Sequence, residues 1–449
     1  MRASPRSALG ALILSLTVAA LASAQTTVPP KVPVRQLAAA TATSTEVLGS
    51  LAAVRHLPSG NVLVNDQARR RVLMMDSTLT ILGVVADSTS STANAYGARA
   101  GGLLAYRGDS SLFVDPASLS MLVIDPSGKI IRTMAAPRPN DVNFLTGGAF
   151  GNPGFDAQGR LVYRTIDFGM RGMRPQPGQP FVPPTPPDSS ALVRFDLATR
   201  KLDTVGFYKI PKSNVSMTQT ANGGMSVSVT VNPLPVVDEW VVLSDGTVAF
   251  VRGQDYHVDF VDASGVVTKA EKIPYEWQRM TDDDKSRFID SARVAIEKQR
   301  AAGGQGMTRA GAEAMLGGGG AGAVVVTMSR DGAGGGAPRV EFGGPGGPGG
   351  NATMPPLNMV SPSELPDYKP VFGTGAIRAD MDGRIWVRTI PTKVLTGGAI
   401  YDVIDRSGKL VDRVQVPTAT TIAGFGPGGV VYLGMRDASG IHILRARAK

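Results

Sequence analysis

Residues Arg378–Ile390 read "RADMDGRIWVRTI", and Gly154–Ile166, more than two hundred residues earlier, read "GFDAQGRLVYRTI". Both carry an Asp, a turn glycine, an Arg, alternating apolar residues with an aromatic, and Arg-Thr. Weaker copies are "LPSGNVLVND" (Leu57–Asp66), "YRGDSSLFVD" (Tyr106–Asp115), "LSDGTVAFVR" (Leu243–Arg252) and "FGPGGVVYLG" (Phe425–Gly434). A turn rich in Gly or Asp followed by period-2 apolar residues is the signature of a β-hairpin. A second phrase follows each copy, as in "MLVIDPSGKIIRTM" (Met121–Met134) and "YDVIDRSGKLVDRV" (Tyr401–Val414). There a strand reaches an Asp (Asp76, Asp125, Asp196, Asp262, Asp405), turns, and leaves as another strand. Asp hydrogen-bonds its own backbone at such turns, so these aspartates read as turn formers rather than catalysts.

Each unit therefore holds four short strands, and six units recur along the chain. Four-stranded units at this spacing are propeller blades. The predicted fold is all-β: a six-bladed β-propeller of four-stranded antiparallel blades. The sixth unit stops after its third strand, so "KVPVRQLAAA" (Lys31–Ala40) is expected to supply the missing outer strand and close the ring. The stretch "GNVLVNDQARRRVLMMDSTLTILG" (Gly60–Gly83) resembles an NHL-type repeat: Gly-Asn, alternating Val/Leu, Asp, a short loop, Arg-Val and a strand-ending Asp. The resemblance, to NHL-like six-bladed propellers of the exported bacterial type, implies architecture more than function. Such propellers include lyases, lactonases, receptor ectodomains and scaffolds without catalysis.

The 449-residue chain is 43% apolar, enough for a large core. It opens with Arg2 and Arg6, then "ALGALILSLTVAALASA", then Gln25. A basic start, a short apolar run and small residues before Gln25 read as a signal peptide over residues 1–24, which implies export to the periplasm or beyond the cell. Residues 25–449 then form a single propeller domain, and no other segment is apolar enough to predict a membrane span. With no cysteine, disulfides, thiolate metal sites and cysteine nucleophiles are excluded. Loss of the two leader arginines lowers the net charge from +9 to +7. That excess favours an anionic partner, a small molecule or a protein, but it lacks the basic runs of a nucleic-acid binder.

Insertions fall on one side of the predicted ring. They are Asp167–Ser190, Lys212–Pro235, the long stretch of residues 276–367 between the fourth and fifth blades, and Pro391–Ala399. All lie in connections that open on the same face, and loops gathered on one face of a rigid scaffold carry binding. The long insertion begins with a predicted helix capped at Thr281 and continues into a Gly-rich segment. The helix reads equally as a lid over the mouth or as a patch against the ring.

Strand ends facing that side place Arg164, Arg252, Arg388 and Arg436, with Asp66, Asp115 and Asp255, around the mouth. Arginine in four consecutive blades suits a carboxylate or phosphate through the guanidinium fork, or else ties neighbouring blades together. The three histidines lie in different blades, and neither a zinc motif nor a G-x-S-x-G elbow is present. "RPND" (Arg138–Asp141) faintly resembles the Pro-Asn-Asp phrase of gluconolactonase-type propellers, which implies a divalent cation such as calcium. No matching Glu or second Asn is evident, and an Asx-turn accounts for the phrase as well. The chain thus reads as an exported binding or scaffold module with an acidic ligand, requiring no cofactor and with no assigned catalytic residue. The alternative is a metal-assisted lactonase or lyase using mouth-facing acids.

Overall fold

Strict alternation decides where each strand residue goes. In Val62–Asp66, Val62 and Val64 pack toward the preceding blade while Leu63 packs toward the next. Because the side-chain period is two, every strand feeds two cores at once. The computed structural model describes residues 32–89, 96–148, 151–165, 187–212, 214–219, 225–301, 326–327, 341–342, 358–393 and 395–448. The expected leader and most of the Gly-rich segment lie outside these residues.

The result is a six-bladed propeller of antiparallel four-stranded sheets. From the axis outward, the first blade comprises Ala53–His56, Val62–Asp66, Arg71–Met75 and Ile81–Ala86. The second is Gly102–Ala105, Ser111–Asp115, Ser120–Ile124 and Ile130–Ala135; the third, Gly154–Phe155, Leu161–Thr165, Ser189–Phe195 and Leu202–Lys209. The fourth is Glu239–Val242, Val248–Arg252, His257–Val261 and Val267–Lys269; the fifth, Ile377–Ala379, Ile385–Arg388, Ile400–Ile404 and Leu410–Gln415. Thr420–Gly426, Val430–Arg436 and Ile441–Arg447 begin the sixth.

Six apolar clusters hold the ring, one for each blade–blade interface. Trp240 fills the interface of the third and fourth blades, and Trp386 that of the fifth and sixth. Each such side chain contributes about 1.5–3 kcal/mol by leaving water. Tight turns stitch the undecorated face. Gly246, at φ +85°, sits where a Cβ would lie 2.1 Å from the backbone nitrogen of Ala157 in the next turn. Only glycine combines that conformation with that approach.

Closure differs from the expectation. The strand that completes the sixth blade is Ala42–Thr43, antiparallel to Ile441–Arg447, and not Lys31–Ala40. Thr41 N donates to Arg445 O at 2.7 Å and Ser44 N to Ile443 O at 2.9 Å, extending the ladder beyond the two-residue strand. Val34–Gln36 instead lies parallel on the outer edge of the fifth blade, against Arg413–Gln415. Arg35 pairs there with Asp412, and Gln36 bonds Gln415. The N-terminal arm therefore clasps two consecutive blades.

The long excursion between the fourth and fifth blades is pinned at its neck. Met280 N donates to Asp367 O and Lys369 N to Gln278 O, both at 2.8 Å, and Lys285 Nζ reaches Asp367 Oδ1 at 2.7 Å. Beyond the neck lies the helix Asp282–Ala301, whose Thr281 and Asp284 cap each other. Its Ile289 joins Leu234, Met280, Val360, Leu365 and Ile390 in a satellite core. That core draws on three separate mouth-side connections, so the described part of the helix is packed against neighbours rather than standing clear of them.

Candidate functional site

The first-phrase strands end at the decorated face, and one register step separates the arginines they carry. Arg164 stands two positions after Val162, which packs toward the fourth blade. Arg252 stands two positions after Phe250, which packs toward the third. The two arginines thus approach the same interface from opposite sides.

Arg252 is held there by its own chain through Nε and Nη1. Its Nε donates to Asp259 Oδ2 at 2.8 Å, and its Nη1 to Asp238 Oδ2 and the Phe207 carbonyl, both at 3.0 Å. Burial works against its charge, but the Asp259 and Asp238 carboxylates outweigh this and raise its pKa. Nearby, Asp255 Oδ1 contacts His257 Nδ1 at 2.6 Å, and Lys272 lies 3.2 Å from its other oxygen. Burial pushes the Asp255 carboxyl up, yet the His257 and Lys272 contacts prevail and hold it below the ordinary value.

Arg164 sits differently. It is only 8% exposed, with its guanidinium carbon 5.9 Å from the centre of the Phe144 ring and 6.0 Å from that of Tyr208. It lines a cleft with Gly151, Tyr208, Ile210, Pro211, Asp238, Glu239, Trp240 and Thr374. Burial lowers its pKa, while Tyr208 and Glu239 counteract that; an arginine nevertheless stays charged. Glu239 Oε1 accepts a hydrogen bond from Gly375 N at 2.7 Å. Gly151, at φ +89°, makes room for the indole edge: a Cβ would fall 2.5 Å from the Trp240 ring.

The other expected site residues lie apart from this cleft. Arg388, partly buried, ends Ile385–Arg388, and Arg436, exposed, ends Val430–Arg436. Asp66 is wholly buried and accepts from Ser50 N at 2.9 Å, Gly49 N at 3.3 Å and Arg71 Nε at 3.2 Å, fixing the entry to the first blade. Asp115 caps its own turn through Ala117 N and Ser118 N. Tyr208, Trp240, Thr374 and Glu239 escaped sequence reasoning, because they come from an outer strand, an inner strand and a connection that meet only in the folded ring.

Asp141 of "RPND" lies in the 3-10 helix Pro139–Leu145 and accepts from Tyr163 Oη at 2.9 Å and Arg138 Nε at 2.6 Å. The chain that follows crosses toward the axis. Asn152 Nδ2 comes within 3.5 Å of the Ile377 carbonyl on the inner strand of the fifth blade. A second cavity opens beside this crossing, lined by Ala53, Leu103, Thr146, Gly148 and Asn152 among others. A divalent cation needs several convergent oxygen or nitrogen ligands, and among the described residues no three His, Asp or Glu side chains converge in that way.

No protein-family model matches the chain, and no curated protein matches it by sequence. Solved structures resemble it over nearly its whole length at low identity. Virginiamycin B lyase from Staphylococcus aureus is 11% identical, covering 91% of this chain and 98% of its own, with a TM-score of 0.37. A gluconolactonase from Xanthomonas campestris is 10% identical over 92% and 96%, with a TM-score of 0.37. Regucalcin, a calcium-binding protein from Agrobacterium tumefaciens, is 12% identical over 93% and 98%, with a TM-score of 0.36. At such scores the likeness says nothing about activity. Among the described residues no helix is long and apolar enough to cross a membrane.

Proposed function

We propose that the protein is an exported binding module that takes an acidic ligand at the decorated mouth of the ring, with Arg164 as the anchor. The observation that carries this reading is the Arg164 cleft: a buried guanidinium held against two aromatic rings at a concave spot that Ile210, Pro211 and Thr374 also line. A desolvated guanidinium binds a carboxylate more strongly than one in water, because little solvent screens it. The basic net charge draws anions toward such a mouth. The "GNVLVND" phrase supports kinship with NHL-like propellers, and the sequence leader supports export. The competing reading, a metal-assisted lactonase or lyase, lacks a convergent donor set among the described residues.

The test is thermal denaturation of the mature protein with small carboxylates, phosphates and acidic peptides. Ligand at a hundred times its Kd stabilises by about 2.7 kcal/mol. An anion that raises Tm in the native protein and in Arg252→Met, but not in Arg164→Met, supports the reading. Stabilisation by calcium that EDTA reverses, with no response to anions, overturns it.

A further inference from the structure

The connection from the second blade to the third walls off a second cavity, apart from the Arg164 cleft. Its described residues, 146–148 and 151–153, are seated at three points. A Cβ at Gly102 would lie 2.5 Å from Thr146 Cα, and one at Gly151 would lie 2.5 Å from the Trp240 ring. Asn152 Nδ2 lies 3.5 Å from the Ile377 carbonyl. The other walls are the inner strands of the first and second blades, at Ala53 and Ala105. The cavity measures about 140 Å³. An apolar cavity of about 150 Å³ holds one benzene, so the occupant has about six heavy atoms.

The lining says what kind of molecule that is. Among the described residues no charged side chain borders the cavity, and burying an unpaired charge is costly, so the occupant is neutral. The polar groups are of both kinds. Asn65, wholly buried, gives one amide hydrogen to Gly101 O at 2.9 Å and accepts from Tyr96 Oη at 3.1 Å. That fixes the side chain, and an amide nitrogen has a second hydrogen to give. Thr146 spends its hydroxyl hydrogen on Asn143 O at 2.9 Å, which leaves its oxygen to accept. Both inner strands pair on one side only, so alternate residues turn an N–H and a C=O to the channel. Donors and acceptors side by side are matched by a group that holds both in one plane, an amide. Ala52, Ala53, Ala105 and Pro153 offer only carbon, which suits an aliphatic body.

We propose that this cavity is a second binding site, for a small uncharged aliphatic amide. Its carbon body lies against the alanines and Pro153, and its amide meets Asn65 and Thr146. The site does not rest on the reading of the mouth, whose anchor is a cation.

Butyramide is the probe, and butyrate, of the same shape but charged, is the control. Binding to the mature protein is read by saturation-transfer NMR of the ligand and by a crystal soak. Butyramide is expected to bind the native protein and Arg164→Met alike, and to appear in the cavity. Ala52→Leu and Ala105→Leu each fill the cavity from an exposed position, so both are expected to keep the native Tm and to lose butyramide. Asn152→Asp keeps the size, adds a charge and removes the donor to Ile377 O; it is expected to weaken butyramide on the order of ten-fold. Undiminished butyramide binding in both leucine variants overturns the inference. So does a soak that shows only water in the cavity, or butyrate binding there as well as butyramide. If butyramide is silent while anions bind through Arg164, the cavity inference falls and the anion-binding mouth stands.

Discussion

Two arginines enter the interface of the third and fourth blades, and their surroundings set them apart. Arg252 meets two carboxylates and a carbonyl within 3.0 Å. Arg164, across the same interface, meets the faces of two aromatic rings and a cleft with buried donors. A guanidinium given acceptors by its own chain is spent on holding blades together. The Arg164 cation is instead set among rings beside a concave spot that Asp238 and Glu239 also line. Asp238 touches both situations, since it binds Arg252 and also lines the cleft.

The sharpest way to break the contrast is to remove each cation in turn. Arg252→Met removes the cation that Asp238 and Asp259 share, and removing one member of a buried pair costs about 3–5 kcal/mol; with Arg252 a quarter exposed, and Asp238 still bonded by Lys209 N and Gly253 N, the lower end applies. Chemical denaturation is expected to show that loss while anion binding persists. Next in size is Gly151→Ala, which forces a Cβ against the indole at positive φ. It is expected to cost about 1–3 kcal/mol and to change Trp240 emission. Arg164→Met is expected to lower stability by removing the cation beside Glu239, and to abolish the Tm response to anions. A larger stability loss in Arg164→Met than in Arg252→Met would reverse the assignment of roles.

The smallest expected effect concerns acid. Asp76, Asp125 and Asp262 are held below the ordinary carboxylate value first by the hydroxyl of Thr78, Ser127 or Ser264, then by backbone N–H groups of the same turns. A depressed folded-state pKa gives stability that is complete above the unfolded value, about 3.9, and lost as pH falls through the folded value. Tm is therefore expected to be insensitive to these turns above about pH 5 and to decline below about pH 4. Asn at all three positions is expected to flatten that decline; an unchanged slope would show that the turns are not linked to it.

The strands and their number were legible because period-2 alternation is imposed by both neighbouring blades at once, as at Val62, Leu63 and Val64. The closing strand was not. Ala42–Thr43 is two residues long and held by backbone bonds, so it leaves no apolar pattern, whereas "KVPVRQL" offers alternation that serves the fifth blade instead. Arg164 was visible from the echo. Its difference from Arg252 was latent in the one-residue offset between "GRLVYRT" and "GTVAFVR". Tyr208, Trp240 and Thr374 were invisible as a group, since nothing in their separate surroundings announces that topology gathers them.

Pairing Thr43 with Leu444 has a consequence for the order of events in synthesis. The arm emerges first and its partners emerge last. At roughly 5–20 residues per second, the arm waits on the order of 20–80 s for the strands it will join. Through that interval the ring is an open arc with apolar surfaces bare at both ends. Closure of the ring is therefore a late step, because Ala42–Thr43 has no partner strand until Ile441–Arg447 is made.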